Sequence, residues 1–174
     1  MEVVVYSVEL YVLRHGEAGK RITSGVKDSA RALTVSGLEE VEKVAKAIAM
    51  LEVKLDFVAT SPLKRASQTA DIVAKALKTK KGNIEEWGEL KPEGKRIDLY
   101  RKLSQFKPES SVLLVGHEPY LSTMIAEIAF GSISGGIVLK KGGIAKLLVT
   151  SFQPRIKGEL RWLLTPKHLK KVAR

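Results

Sequence analysis

The chain has 174 residues, enough for one domain spanning residues 1–174 that buries a substantial core without staples. Hydrophobic residues make up 44% and charged residues 28%, values of an ordinary globular protein that exclude a disordered chain, a collagen-like repeat and a multi-span membrane protein. The net charge of +11 favours anionic partners, and the absence of cysteine excludes disulfides, thiol nucleophiles and zinc ribbons.

The N-terminus opens Met1-Glu2 and lacks the basic start and cleavage site of a signal peptide. No stretch reaches the roughly 18 apolar residues of a membrane span, so a cytoplasmic location is expected. Residues 3–13 read as a buried strand that ends at Arg14-His15-Gly16. A polar loop over 17–35 precedes Ser36-Gly37-Leu38-Glu39, a capping-box pattern that predicts a helix carrying Leu38, Val41, Ala45, Ile48 and Leu51 at 3.6-residue spacing. Residues 55–60 form a second strand. Ser61-Pro62 then predicts an N-cap with proline at the first helical position, and a helix to Leu77. A short strand at 84–87 and a helix over 95–106, burying Ile97, Leu103 and Phe106, come next. The continuously apolar strand Ser111–Val115 follows, of the kind found in parallel sheets, and ends at Gly116-His117. A helix near 119–130, strands near 137–140, 144–150 and 160–164, and a basic terminal helix over 166–174 complete the chain. The alternation predicts a three-layer α/β/α sandwich around a mostly parallel sheet.

Chemistry concentrates at three predicted strand ends, where sheets of this class bind ligands. An arginine beside His15 disfavours the protonated imidazole, and a neutral imidazole can act as a nucleophile. Gly16 leaves room for a ligand to approach the backbone. Arg65 lies in the first turns of a helix, where anions are favoured, and its guanidinium suits a bidentate phosphate contact. His117 follows a second buried strand. One such histidine is ordinarily structural, and one such arginine an exposed helix residue. Two of each at neighbouring strand ends describe a metal-free phosphoryl site, with Arg14, Arg65 and His117 neutralising oxygens while His15 attacks phosphorus. Gly16 to Arg21 superficially suggests a P-loop but lacks the glycine five residues before Gly19, where Arg14 stands, and the Ser or Thr after Lys20, where Arg21 stands. With three histidines in all, His168 being the third, a histidine-rich metal cage is not expected.

Arg14-His15-Gly16-Glu17, Ser61-Pro62-Leu63-Lys64-Arg65-Ala66-Ser67-Gln68-Thr69 and Gly116-His117 resemble, in order, the three motifs of the histidine phosphatase superfamily, which has the phosphoglycerate mutase-like fold. Arg31-Ala32-Leu33-Thr34 followed by Gly37, Glu89-Leu90, and Trp162 to Pro166 resemble its short SixA-type phosphohistidine phosphatases. The resemblance implies that His15 is the nucleophile and forms a phosphohistidine intermediate, which water hydrolyses. It implies that Arg14, Arg65 and His117 bind the phosphoryl group, and that no metal or organic cofactor takes part. An acid would protonate the leaving group. Glu89 is favoured because it sits where the larger relatives place theirs, with Glu118 and Glu17 as alternatives. Two departures matter. Gly19, Lys20 and Arg21 stand where mutases carry an asparagine, and the short stretch between Arg65 and His117 leaves little room for a large helical cap. An open site suits a phosphorylated protein side chain.

The leading reading is thus a metal-independent phosphatase acting on phosphoric monoesters or protein phosphohistidine. Its partner would be a phosphorylated small molecule or a phosphohistidine-bearing protein. A mutase-like phosphotransferase on a small metabolite is the alternative. A polyanion- or nucleic-acid-binding module is disfavoured, because aromatic residues total 6% and are not interleaved with the basic ones. Oligomeric state is not legible. The amides are few (Asn83, Gln68, Gln105 and Gln153) and lysine and glutamate abundant, a composition of heat-adapted proteins. A thermal midpoint above about 65 °C by calorimetry is the expected outcome; a midpoint in the mesophile range of about 45–65 °C would sink that reading.

Overall fold

A computed structural model describes residues 7–20, 27–134 and 136–173. The elements are β1 (Val8–Arg14), α1 (Val35–Met50), β2 (Phe57–Thr60), α2 (Lys64–Ala76), β3 (Ile84–Glu86), α3 (Arg96–Leu103), β4 (Ser111–Gly116), α4 (Tyr120–Phe130), β5 (Ile144–Ser151), β6 (Lys157–Leu164) and α5 (Pro166–Val172). Six strands form one sheet in the order β3-β2-β4-β1-β5-β6. The first four run parallel, while β5 and β6 are antiparallel at one side. The three-layer, mostly parallel architecture expected from the alternation is therefore present. Residues 3–6 of the first predicted strand, together with Arg21, Gly135 and Arg174, lie outside the described residues.

The period-two geometry of strands divides the core between two faces. Leu10 and Val12 of β1, with Val112 and Leu114 of β4, pack under α3 and α4. Tyr11 and Leu13, with Leu113 and Val115, pack under α1, α2 and α5. The helix after β1 thus covers one face, and the helix after β4 the other. Because β1 and β4 are neighbours, their outgoing loops part company and open a crevice at the carboxyl end of the sheet.

Four local expectations are corrected. The cap of α1 is Thr34, whose hydroxyl accepts from Gly37 N at 2.9 Å, rather than Ser36, whose hydroxyl donates to Glu17. Helix α2 begins at Lys64, not beside Ser61, because Ser61 turns its hydroxyl inward. Helix α3 buries Leu99, Tyr100 and Leu103, while Ile97 is 65% exposed, since two residues turn a helix by about 200°. The Tyr100 hydroxyl and Arg96 both donate to Glu127 of α4, which fixes the rotation of α3. Residues 137–140 form no strand. Their Leu139 carbonyl accepts from Arg14 Nη1 at 3.1 Å, and the segment ends in a turn where Gly142 has φ +67° and Gly143 N donates to Lys140 O.

Between Arg65 and His117 the single helix after α2 is the eight-residue α3, so no large helical cap is present. Among the described residues, no helix is long and apolar enough to cross a membrane. Leu103→Ala is expected to cost about 2–5 kcal/mol of stability. Ile97→Ala should stay within about 0.5 kcal/mol. Urea unfolding of both variants checks the assignment of faces.

Candidate active site

Strand register assembles the centre. In the parallel pairing of β1 with β4, Arg14 stands opposite Gly116, so the next residues, His15 and His117, leave the sheet side by side. His15 N donates to Gly116 O at 3.1 Å, and the two imidazole rings lie 5.0 Å apart between centroids. Strand β2 lies on the other side of β4, where Ser61 N donates to Val115 O. This carries Ser61 and the start of α2 up to the histidines. His15, His117, Ser61 and Arg65 are all buried.

His15 Nδ1 lies 2.7 Å from Gly16 O, a carbonyl that can only accept, so Nδ1 carries the proton. The other nitrogen, Nε2, then presents its lone pair, and Arg65 Nε donates to it at 3.3 Å. His117 Nε2 is 2.8 Å from Ser61 Oγ. That oxygen also accepts from Leu63 N at 3.3 Å, so its own proton is available for His117 Nε2. In the tautomer in which Ser61 Oγ donates to Nε2, the proton of His117 sits on Nδ1. His117 Nδ1 and Arg14 Nε are buried and have no hydrogen-bond partner among the described residues. Two buried nitrogens without partners, near the His15 imidazole, make a site suited to an oxyanion.

Both imidazoles are held neutral. Burial is the largest effect lowering His15 to about 4; the bond to Gly16 O opposes it, and the charges of Arg65, Arg14 and Arg31, each a smaller effect, add to the lowering. Burial, followed by His15 and Arg65, lowers His117 to about 3. Desolvation is thus the main cause, and the adjacent arginine named by sequence reasoning is a secondary one. Gly16 also differs from expectation: a Cβ there would come 2.4 Å from Val41 Cγ2, so the space it saves lies against α1. Its N–H donates to Thr69 Oγ1, which in turn donates to Arg65 O at 2.7 Å.

The three candidate acids are engaged elsewhere. Glu89 sits on a 3₁₀ turn and pairs with Lys102 of α3 at 2.9 Å. Burial raises its pKa, but the Lys102 hydrogen bond, a backbone hydrogen bond and the Lys102 charge together bring it below the ordinary value. Glu118 accepts from Ser122 N at the start of α4, and Glu17 from Ser36 Oγ at the start of α1. No hydrogen bond or ion pair joins any of them to His15, Arg14, Arg65 or His117 among the described residues. The carboxylate that reaches the centre is Asp28, whose Oδ2 lies 3.1 Å from Arg65 Nη2. Sequence reading did not single out Asp28; its one signal was its place three residues before Arg31 in a polar loop. His168 caps α5 through Thr165, far in role from this centre. Among the described residues, no three His, Asp or Glu side chains cluster closely enough to share a metal ion.

Folding keeps these two imidazoles neutral, whereas in the unfolded chain they take up protons below about pH 6.5. The unfolded state then binds more protons, so their contribution to stability is complete above pH 6.5 and is lost as pH falls towards 4. Proton NMR should show His15 titrating near 4, and the urea midpoint should be lower at pH 5 than at pH 7.5. A His15 resonance titrating near 6.5 would contradict this.

Comparison with known proteins agrees with this geometry. Residues 10–96 match the histidine phosphatase superfamily (branch 1). An uncharacterised protein from Picosynechococcus sp. is 34% identical over 93% of this chain and 99% of its own. The Drosophila melanogaster mitochondrial serine/threonine-protein phosphatase Pgam5 is 30% identical over 60% of this chain, which spans about a third (35%) of that protein's length. Among solved structures, the protein histidine phosphatase SixA complexed with tungstate matches with a TM-score of 0.79 and 25% identity, over 92% of this chain and 99% of SixA. Phosphoglycerate mutase from Bacillus anthracis shares the fold, with a TM-score of 0.67 and 14% identity over the full length of both chains. With the phosphoglycerate mutase-like fold, a likeness to SixA and a motif-bearing segment that matches from β1 to the start of α3, the chain belongs to the histidine phosphatase superfamily.

Proposed function

We propose that this histidine phosphatase hydrolyses phosphohistidine carried on a protein, through a phosphorylated His15. The observation that carries the reading is the His15 tautomer. With Nδ1–H on Gly16 O, the Nε2 lone pair faces the Arg65 guanidinium that would hold the phosphoryl group. Nε2 attacks phosphorus, and the bond from phosphorus to the leaving group breaks. Arg14, Arg65 and the Nδ1–H of His117 take up the charge on the phosphoryl oxygens. Water then attacks the His15–phosphorus bond, releasing orthophosphate and returning the lone pair to Nε2. No step needs a metal or cofactor.

Two features support a nitrogen-bound phosphoryl substrate over an alkyl ester. An ionised Glu89 paired with Lys102 is a poor proton donor, and an imidazole departs as a far weaker base than an alkoxide. The eight-residue α3 leaves the site open to a phosphoryl group borne on a macromolecule. The likeness to SixA, which is named a protein histidine phosphatase and whose structure holds the oxyanion tungstate, agrees with both.

The test is phosphate release in EDTA from a phosphohistidine-bearing protein and from p-nitrophenyl phosphate, wild type against His15→Ala. The expected outcome is faster release from the phosphoprotein, with His15→Ala inactive on both. Release only from the ester would move the assignment to phosphoric monoesters. Phosphoryl transfer between positions of a small metabolite, in a coupled assay, would favour the mutase-like reading. Full activity in His15→Ala would end all of these.

A further inference from the structure

The loop ahead of α1 contributes a bridge of charge to the centre. Asp28 Oδ1 accepts from Arg31, with Nη2 at 2.8 Å and Nε at 3.0 Å. Its other oxygen, Oδ2, accepts from Arg65 Nη2 at 3.1 Å, and its backbone carbonyl accepts from Arg65 Nη1 at 3.0 Å. Arg31 is itself tied down, its Nη1 donating to Gly19 O at 2.8 Å. One residue therefore grips both outer nitrogens of Arg65 while a second arginine anchors it.

A guanidinium is planar and rigid. Holding Nη1 and Nη2 at one end fixes the direction of the Nε–H at the other, and that N–H points at His15 Nε2. Arg65 lies in the first turn of α2, with its guanidinium at the end of a long side chain. Its side chain is 5% exposed and that of Asp28 32%, so the pairing is partly shielded from solvent.

We propose that Asp28 is the positioning residue of the phosphoryl pocket, gripping the outer end of Arg65 so that its Nε edge stays against His15 Nε2. The proposal rests on the reading of His15 as the phosphoryl acceptor. Asp28 touches neither the phosphoryl group nor the leaving group. It acts through Arg65, and the property it supplies is direction. It does not serve as the missing acid, because its two arginine partners keep its carboxyl ionised, holding its pKa below the ordinary value against the opposing effect of partial burial.

The experiment compares wild type with Asp28→Ala, Asp28→Asn and Asp28→Glu for phosphate release, with the thermal midpoint recorded for each. Misplacement of a reacting partner by about 1 Å can cost about 10²-fold. Asp28→Ala is therefore expected to lower kcat by about that factor and to leave KM within about threefold. Asp28→Asn keeps an oxygen for Arg65 and should recover most of the loss. Asp28→Glu keeps the charge but displaces the oxygens by a methylene, and should stay impaired. If Asp28→Ala unfolds, Asp28→Glu decides the matter in its place. Unchanged kcat in a folded Asp28→Ala or Asp28→Glu overturns the proposal. So does an Asp28→Asn as impaired as Asp28→Ala, since charge and not direction would then be the requirement. A crystal structure of whichever of these two impaired variants folds separates this from the broader reading. If wild type releases no phosphate from either substrate, the phosphatase reading fails, while the direction of Arg65 still tests Asp28. A guanidinium displaced from His15 Nε2 supports the proposal, and one still within 3.3 Å overturns it.

Discussion

The pairing of β1 with β4 is the constraint on which the site depends. Parallel strands hold their register through an even ladder of backbone hydrogen bonds, and both strands are apolar on their two faces. A slip of one residue would exchange Leu10 and Val12 with Tyr11 and Leu13 between two differently shaped cores. Register is therefore held by the whole interior. It puts Arg14 opposite Gly116 and leaves two histidines adjacent at the sheet's end. The site inherits its precision from strand packing rather than from its own loops.

Electrostatics at that end follow from burial. A buried imidazole near three guanidiniums stays neutral, which preserves the lone pair a nucleophile needs. The hydrogen bond to Gly16 O then selects a tautomer, fixing the proton of His15 on Nδ1, while His117 Nε2 pairs with the Ser61 hydroxyl. Among the described residues, no carboxylate hydrogen-bonds either histidine. Glu17 and Glu118 are occupied at helix starts, where negative charge is stabilised by the helix dipole, and Glu89 is neutralised by Lys102. Asp28 is admitted only on the far side of Arg65.

Several departures from simple pattern reading share one cause, the diversion of polar groups from local to tertiary partners. Ser61 precedes a proline and has the form of a helix cap, yet its hydroxyl serves His117. Ser36 begins a capping-box pattern, yet it bonds Glu17 while Thr34 caps the helix. The segment 137–140 has strand composition, yet it spends the Leu139 carbonyl on Arg14. In each case a group that could have satisfied its own neighbourhood holds a residue of the centre or of the loops around it.

The sequence by itself determined what local periodicity and motif spacing carry. The alternation of strands and helices, the apolar runs of β1 and β4, and the clustering of His15, Arg65 and His117 at strand ends were all legible, because each depends on residues near one another in the chain. Tertiary structure alone decided the pairings between distant segments. Asp28 meets Arg65 across 37 positions and Ser61 meets His117 across 56. The choice of which helix face is buried at Ile97, and the commitment of Glu89 to Lys102, likewise rest on how α3 packs against α4 and the sheet. A charged or hydroxyl-bearing side chain has many chemically equivalent partners in a sequence, and only the packed backbone selects among them.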